Sequence, residues 1–202
     1  MGKNKIIILV AVILVVLGSI VGFIYWNTTS GRVYVENSAV SAPVINLSPT
    51  VGGVLQEVFV NVGDQVQTSA PIARIGNELI KAKSSGQILS IDINIGDNFG
   101  ANQTVATMIN PDDLRIVGQV QEDKGLKDIK VGQTAIFTVD AFGSKQYSGI
   151  VDQISPTSNA GDIVFNISNT RQENDFDVKV RFNVSQFPEL KNGMSAKLWI
   201  YK

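Results

Sequence analysis

The sequence predicts a mainly β protein: an N-terminal transmembrane helix, a β-sandwich built of two repeated halves, and a small antiparallel β-barrel. Three observations carry this. A twelve-residue pattern of apolar residues and turn residues occurs twice. One long uncharged apolar run stands near the front. After it come short segments rich in Val, Ile, Phe and Thr, broken by Gly, Asn, Asp and Pro, the composition of strands and their turns.

The apolar run covers residues 6–26, after a short start at 1–5, and fifteen of its residues are Ile, Leu, Val or Phe. At 1.5 Å per residue a helix of that length spans roughly 31 Å, the thickness of the hydrocarbon core. Each such residue favours insertion by roughly 0.3 to 0.6 kcal/mol. Lys3 and Lys5 precede the run and the next basic residue is Arg32. The charge bias puts the N-terminus in the cytoplasm and residues 27–202 outside, in a single pass through a cell membrane. The run exceeds a signal-peptide core and no small-x-small cleavage site follows closely, so it is expected to stay as an anchor. Tyr25 and Trp26 suit the aromatic belt. Gly18 and Gly22 have the spacing of a helix-dimer motif, one weak match.

The repeat runs from Gly53 to Asp64 and again from Gly86 to Asp97, thirty-three residues on. It extends to Ala73 with Ala106 and Ile75 with Met108. A unit found twice suggests two half-units closing on each other. Leu55, Val58, Val60 and Val62, and then Ile91, Ile93 and Ile95, lie near a period of two, expected of half-buried strands. Gly63-Asp64 and Gly96-Asp97 are expected to end those strands as turns. Gly53, Gly63, Gly86 and Gly96 read as structural turn residues together with Asp64 and Asp97, whose side chains are expected to bond nearby backbone. Leu55, Val58, Val66, Ile88, Ile91 and Phe99 are the core candidates.

A composition shift at Asn110-Pro111-Asp112-Asp113 divides the rest. Strands are expected at 114–120, 134–139, 146–154, 163–167, 177–184 and 196–201, with one short helix near 122–129. Short strands at this density read as a small antiparallel barrel. The stretches 157–162 and 170–174 read as exposed loops. The expected layout is a linker and leading strand at 27–47, the paired-half unit at 48–110 (halves 48–75 and 81–109) and the barrel at 112–202.

Composition removes several classes of function. The chain has no Cys and no His, so Cys/His zinc sites, Cys nucleophiles and Ser-His-Asp triads cannot be built. Net charge is −1 with no basic stripe, which argues against nucleic acid as partner. Asp112-Asp113, Glu122-Asp123 and Asp175 with Asp177 are the carboxylate clusters. Glu122 and Asp123, if extended, point to opposite faces. Asp175 and Asp177 could share a face and hold a cation weakly, but read better as loop charges. Ser84-Ser85 lacks the G-x-S-x-G of a nucleophile elbow. No catalytic, cofactor or metal site is expected, and the chain does not read as an enzyme.

The order of these parts resembles the membrane-fusion proteins, or periplasmic adaptor subunits, of bacterial export systems of the HlyD/EmrA type. Val33 to Asn37 and Pro49 to Leu55, on to Gly63-Asp64-Gln65-Val66, are similar to that family's leading strand and first lipoyl-like half. Ala82 to Ile88, on to Gly96-Asp97, resembles the second half. Leu114 to Val120, Val131 to Ala135, Tyr147 to Ile154 and Asn192 to Ala196 resemble the adaptor barrel. The resemblance covers nearly the whole chain after residue 30. It implies a lipoyl/biotinyl-like sandwich, an inner-membrane transporter (an ABC or proton-driven permease) as partner, and a homo-oligomer. Phe142 and the 157–162 loop are candidate contact points.

One departure matters. Members that bridge two membranes carry a long helical hairpin between the halves, and here only Gly76-Asn77-Glu78 lies there. A hairpin-tip role is therefore not implied. The chain also ends at Lys202, directly after the barrel, so the further membrane-proximal domain of some members is expected to be missing or incomplete. The same two-half fold serves biotinyl and lipoyl carriers, with a modified Lys at the joining turn. Here Gly76 and Asn77 occupy that turn, and Lys81 and Lys83 come later, outside any carrier context. The alternatives are a membrane-tethered structural or binding module not tied to transport and, less favoured, a biotinyl/lipoyl carrier-like domain.

Overall fold

The structure, a computed structural model, describes residues 13, 14, 16–19, 31–159 and 174–202. The expected strand at 163–167, most of the 6–26 run and most of the two loops lie outside these residues. Within the run, residues 13, 14 and 16–19 are helical. Among the described residues no helix is long and apolar enough to cross a membrane.

The chain from residue 31 is built of strands: β1 (Arg32–Ser41), β2 (Ile45–Leu47), β3 (Gly53–Val58), β4 (Gln65–Val66), β5 (Pro71–Ile75), β6 (Glu78–Lys81), β7 (Gly86–Ile91), β8 (Asn98–Phe99), β9 (Ala106–Ile109), β10 (Arg115–Gln121), β11 (Thr134–Val139), β12 (Gln146–Ser158), β13 (Asp175–Arg181) and β14 (Ser195–Tyr201). They form a closed barrel, β1-β10-β13-β12-β11-β14, and two four-stranded sheets, β2-β9-β7-β4 and β6-β5-β3-β8.

Alternation builds the barrel. Ala135, Phe137 and Val139, then Val178 and Val180, then Ala196, Leu198 and Ile200 are buried at every second position and fill its interior. β1 is a wall of this barrel, paired with β14 along Arg32–Ala39 and with β10 from Ser38 to Ser41. The strand leading into the paired-half unit thus closes the later domain. Its own pattern suits this, because Val33, Val35 and Val40 face in and the phase changes at a bulge between Val35 and Ser38. The helix expected at 122–129 shrinks to one 3-10 turn at Leu126–Asp128, started by Gly125 at φ 100°. That stretch holds too few apolar residues to bury a helical face.

The second core lies between the two four-stranded sheets. Leu55, Ile72, Ala73, Ile75, Ile88, Ala106 and Met108 have at most 1% of their surface exposed. Val66 and Phe99 are buried, while Val58 and Ile91 are half-buried at strand ends. The period of two does not continue as strand. β3 stops at Val58 and β7 at Ile91. Val62, Ile93 and Ile95 stand 62%, 68% and 68% exposed in the connections that follow. These connections carry the chain from one sheet to the other, so they leave the ladder that would have buried alternate residues.

Candidate functional site

The two halves meet between β5 and β6. Shifting β2, β3, β4 and β5 by thirty-three residues lands them on β6, β7, β8 and β9. The same shift converts one sheet order into the other. Each sheet therefore holds two strands from each half. The halves interleave; they do not merely face each other.

Equivalent positions share burial and backbone. Leu47 and Ile80, Leu55 and Ile88, Val66 and Phe99, Ile72 and Val105, and Ile75 and Met108 are all buried. Gly63 (φ 93°) matches Gly96 (φ 103°), and Ser69 (φ 69°) matches Asn102 (φ 64°), the described non-glycine residues with positive φ. Asp64 N–H donates to Asn61 O at 3.2 Å and Asp97 N–H to Asn94 O at 3.1 Å. The Asp64 carboxylate also accepts the Asn61 N–H at 2.8 Å, whereas Asp97 has no such bond among those described; Asp92 instead accepts the Asn94 N–H at 2.9 Å. Gly53 and Gly86, expected in turns, instead open strands β3 and β7, and Gly86 serves a close approach: a Cβ there would lie 2.2 Å from the Ile109 carbonyl oxygen.

The halves join through the tight turn Ile75-Gly76-Asn77-Glu78, with Ile75 paired to Glu78. Gly76 takes φ 54° and its N–H donates to Val54 O at 2.9 Å. A Cβ on Gly53 would lie 3.1 Å from the Gly76 nitrogen, so Gly53 lets β3 pass under the turn. The Glu78 carboxylate fastens the turn to the β2–β3 connection, accepting the Val51 N–H at 3.0 Å and the Thr50 N–H at 2.8 Å. These two backbone donors hold its carboxyl below the usual carboxylate range. Sequence reasoning missed this clamp; a lone Glu beside a turn carries no signal of its own.

Other expected residues are dispersed. Lys81 lies exposed on β6, and Lys83 Nζ donates to the Asn46 carbonyl at 2.8 Å. Ser85 Oγ accepts the Thr68 N–H at 3.3 Å in a surface turn. Asp112 and Asp113 sit in a 3-10 turn at the junction of the two units. Glu122 and Asp123 are exposed beyond β10. Asp175 and Asp177, read from the sequence as loop charges, instead lie on strand β13 opposite Gln121 and Gln119. Among the described residues no three acidic side chains gather as a metal site. Phe142 packs edge-on against Tyr147 at one end of the barrel, ring centres 6.5 Å apart, so most of it is spent on the fold.

No family model matches the chain. A Bacillus subtilis protein, YhbJ, provisionally assigned as an efflux system component, is 25% identical over 139 residues. The match takes in 67% of this chain and 59% of that relative's length, so the chain spans about three-fifths of it. A MacA–MexA chimera carrying the Pseudomonas aeruginosa MexA α-hairpin domain superposes with a TM-score of 0.70 at 14% identity, over 85% of this chain and 81% of the chimera. The periplasmic adaptor protein EmrA gives 0.55 at 13% identity, over 85% of this chain and 99% of that one. The membrane fusion protein Spr0693 of Streptococcus pneumoniae R6 gives 0.61 at 14% identity, over 85% and 98%. These structural neighbours are membrane-fusion and adaptor proteins, and this chain has their fold.

Proposed function

We propose that this chain is a membrane-anchored adaptor subunit of an efflux or secretion system, acting through protein contacts and not through catalysis. One observation carries the reading. An interleaved two-half sandwich is strung between the first and later strands of a closed six-stranded barrel, the arrangement in which the chain superposes on adaptor proteins. The efflux assignment of the Bacillus relative points the same way.

In this reading residues 6–26 anchor the chain, with its N-terminus cytoplasmic and the barrel and sandwich on the outer face. Anchoring holds the adaptor near its permease at high effective concentration. The partner is a transporter of the same membrane, and several copies assemble around it. The closed turn at Gly76-Asn77 gives no reach toward a distant duct, so the adaptor works close to its own membrane. Crosslinking of the intact anchored protein in native membranes, followed by mass spectrometry, tests this. Recovery of a transporter subunit is expected; repeated recovery of none overturns the reading.

A further inference from the structure

The sandwich and barrel are joined by two chain crossings, residues 42–44 and 110–114, and the side chains there form a lock. The first crossing is held by Asn192, whose Oδ1 accepts the Ala42 N–H at 2.9 Å. Asn192 belongs to the connection before β14, far from Ala42 in sequence, and the adjacent Gly193 N–H donates to Val40 O at 2.8 Å. The second crossing is a 3-10 turn, Pro111–Asp113, capped by Asn110. One guanidinium nitrogen of Arg115 donates to two of its carbonyls, Asp112 at 3.0 Å and Leu114 at 2.8 Å. Its Nε meets the Asp152 carboxylate of β12 at 3.4 Å. Arg115, at the start of β10, thus ties the crossing across β13 to β12 of the barrel wall. Apolar contacts run beside these bonds: Ala42, Ile109 and Leu114 are buried in the barrel core cluster, and Leu89 of the sandwich packs against it.

Joints between domains are hinges by default, because few contacts cross them. Here both crossings are short, each carries a proline (Pro43 and Pro111), and each is bonded by a side chain: the first by the distant Asn192, the second by the adjoining Arg115, which also reaches Asp152 of β12. We infer that Arg115 and Asn192 are a two-point lock that makes the sandwich and barrel turn as one body. The inference concerns the joint alone and stands whatever the partner proves to be.

The chain has no cysteine, so paired labels are unambiguous. Cysteines at the exposed positions Gln56 and Gln146 place one spin label on each unit. Distances are read by double electron–electron resonance on the full chain in detergent. The native joint should give one narrow distribution. R115Q and N192A should each broaden it, and together by about twofold or more. R115K should broaden it too, because an ammonium keeps the charge but lacks the planar fork. R181Q removes the other arginine near Asp152, which touches no crossing, and should leave the width unchanged. Circular dichroism verifies folding, and if R115Q does not fold, R115K and N192A carry the test. A broad native distribution, or unchanged width in the folded crossing variants, overturns the lock.

Discussion

Gly63 donates its N–H to the Ile88 carbonyl at 2.9 Å, and Gly96, thirty-three residues on, donates to the Leu55 carbonyl at 2.8 Å. Each turn closes on a strand of the other half. The return bonds match, with Ile88 N–H to Asp64 O at 3.0 Å and Leu55 N–H to Asp97 O at 2.8 Å. The repeat is therefore an exchange of backbone partners between its copies.

Neither half should fold alone. A peptide of residues 45–77 would keep its turn residues but lose the strands that accept their bonds and cover Leu55 and Ile75. Circular dichroism of that peptide should show an unfolded chain, while residues 45–110 together should show β structure. A folded half would contradict the exchange.

The turn glycines and the packed glycine should behave differently. Nothing lies within 4 Å of a Cβ built on Gly63 or Gly96, so only backbone strain opposes alanine. G63A and G96A should each cost about 1–2 kcal/mol in urea unfolding, by similar amounts. G86A should cost more than either. Its Cβ meets the Ile109 carbonyl and Met108 Cε, and the backbone must move to admit it.

Acid should loosen the joining turn through Glu78. Its folded carboxyl lies below its ordinary value of 4.5, because Val51 and Thr50 N–H groups favour the ionised form. The stability it supplies is present above that ordinary value and is lost as pH falls through the lowered folded value. Hydrogen exchange at the Thr50 and Val51 amides should accelerate, relative to unstructured amides, as pH drops below about 4.5. E78Q should show fast exchange at both those amides at neutral pH and no such acid step.

At the barrel end, packing should outweigh charge. Tyr147 is 1% exposed, stacked on Phe137 at 5.3 Å and met edge-on by Phe187 at 5.0 Å. Y147A should cost about 3–5 kcal/mol in urea unfolding, as for other buried aromatic truncations. The Lys145–Glu189 bridge, 2.6 Å long, leaves Lys145 55% exposed, so K145A should barely move the midpoint. The reverse order would show that the bridge, and not the aromatic cluster, holds that end.

Much of this architecture was legible before any coordinates. β11 spans the expected 134–139, and the strands expected at 146–154, 177–184 and 196–201 appear with shifted ends. Ser69 and Asn102, and Leu47 and Ile80, also obey the thirty-three-residue offset; the first pair is unlike in side chain, and the second, apolar in both copies, lies outside the repeated stretch. The Glu78 clamp and the tie from Arg115 to Asp152 left no trace, because each joins groups far apart in sequence that only folding brings near.

Local pattern was enough to place most strands, the turns at Gly63 and Gly96 and the duplicated halves, though β3 and β7 end before those turns. Alternation reports which face of a strand is apolar, and glycine reports where φ turns positive. Neither reports which strand lies alongside. That the halves exchange strands, and that β1 returns to close a barrel whose other strands begin at Arg115, was decided only by tertiary structure. Strand pairing is made by backbone groups that every residue carries, so the choice of partner rests on burying all the apolar faces at once.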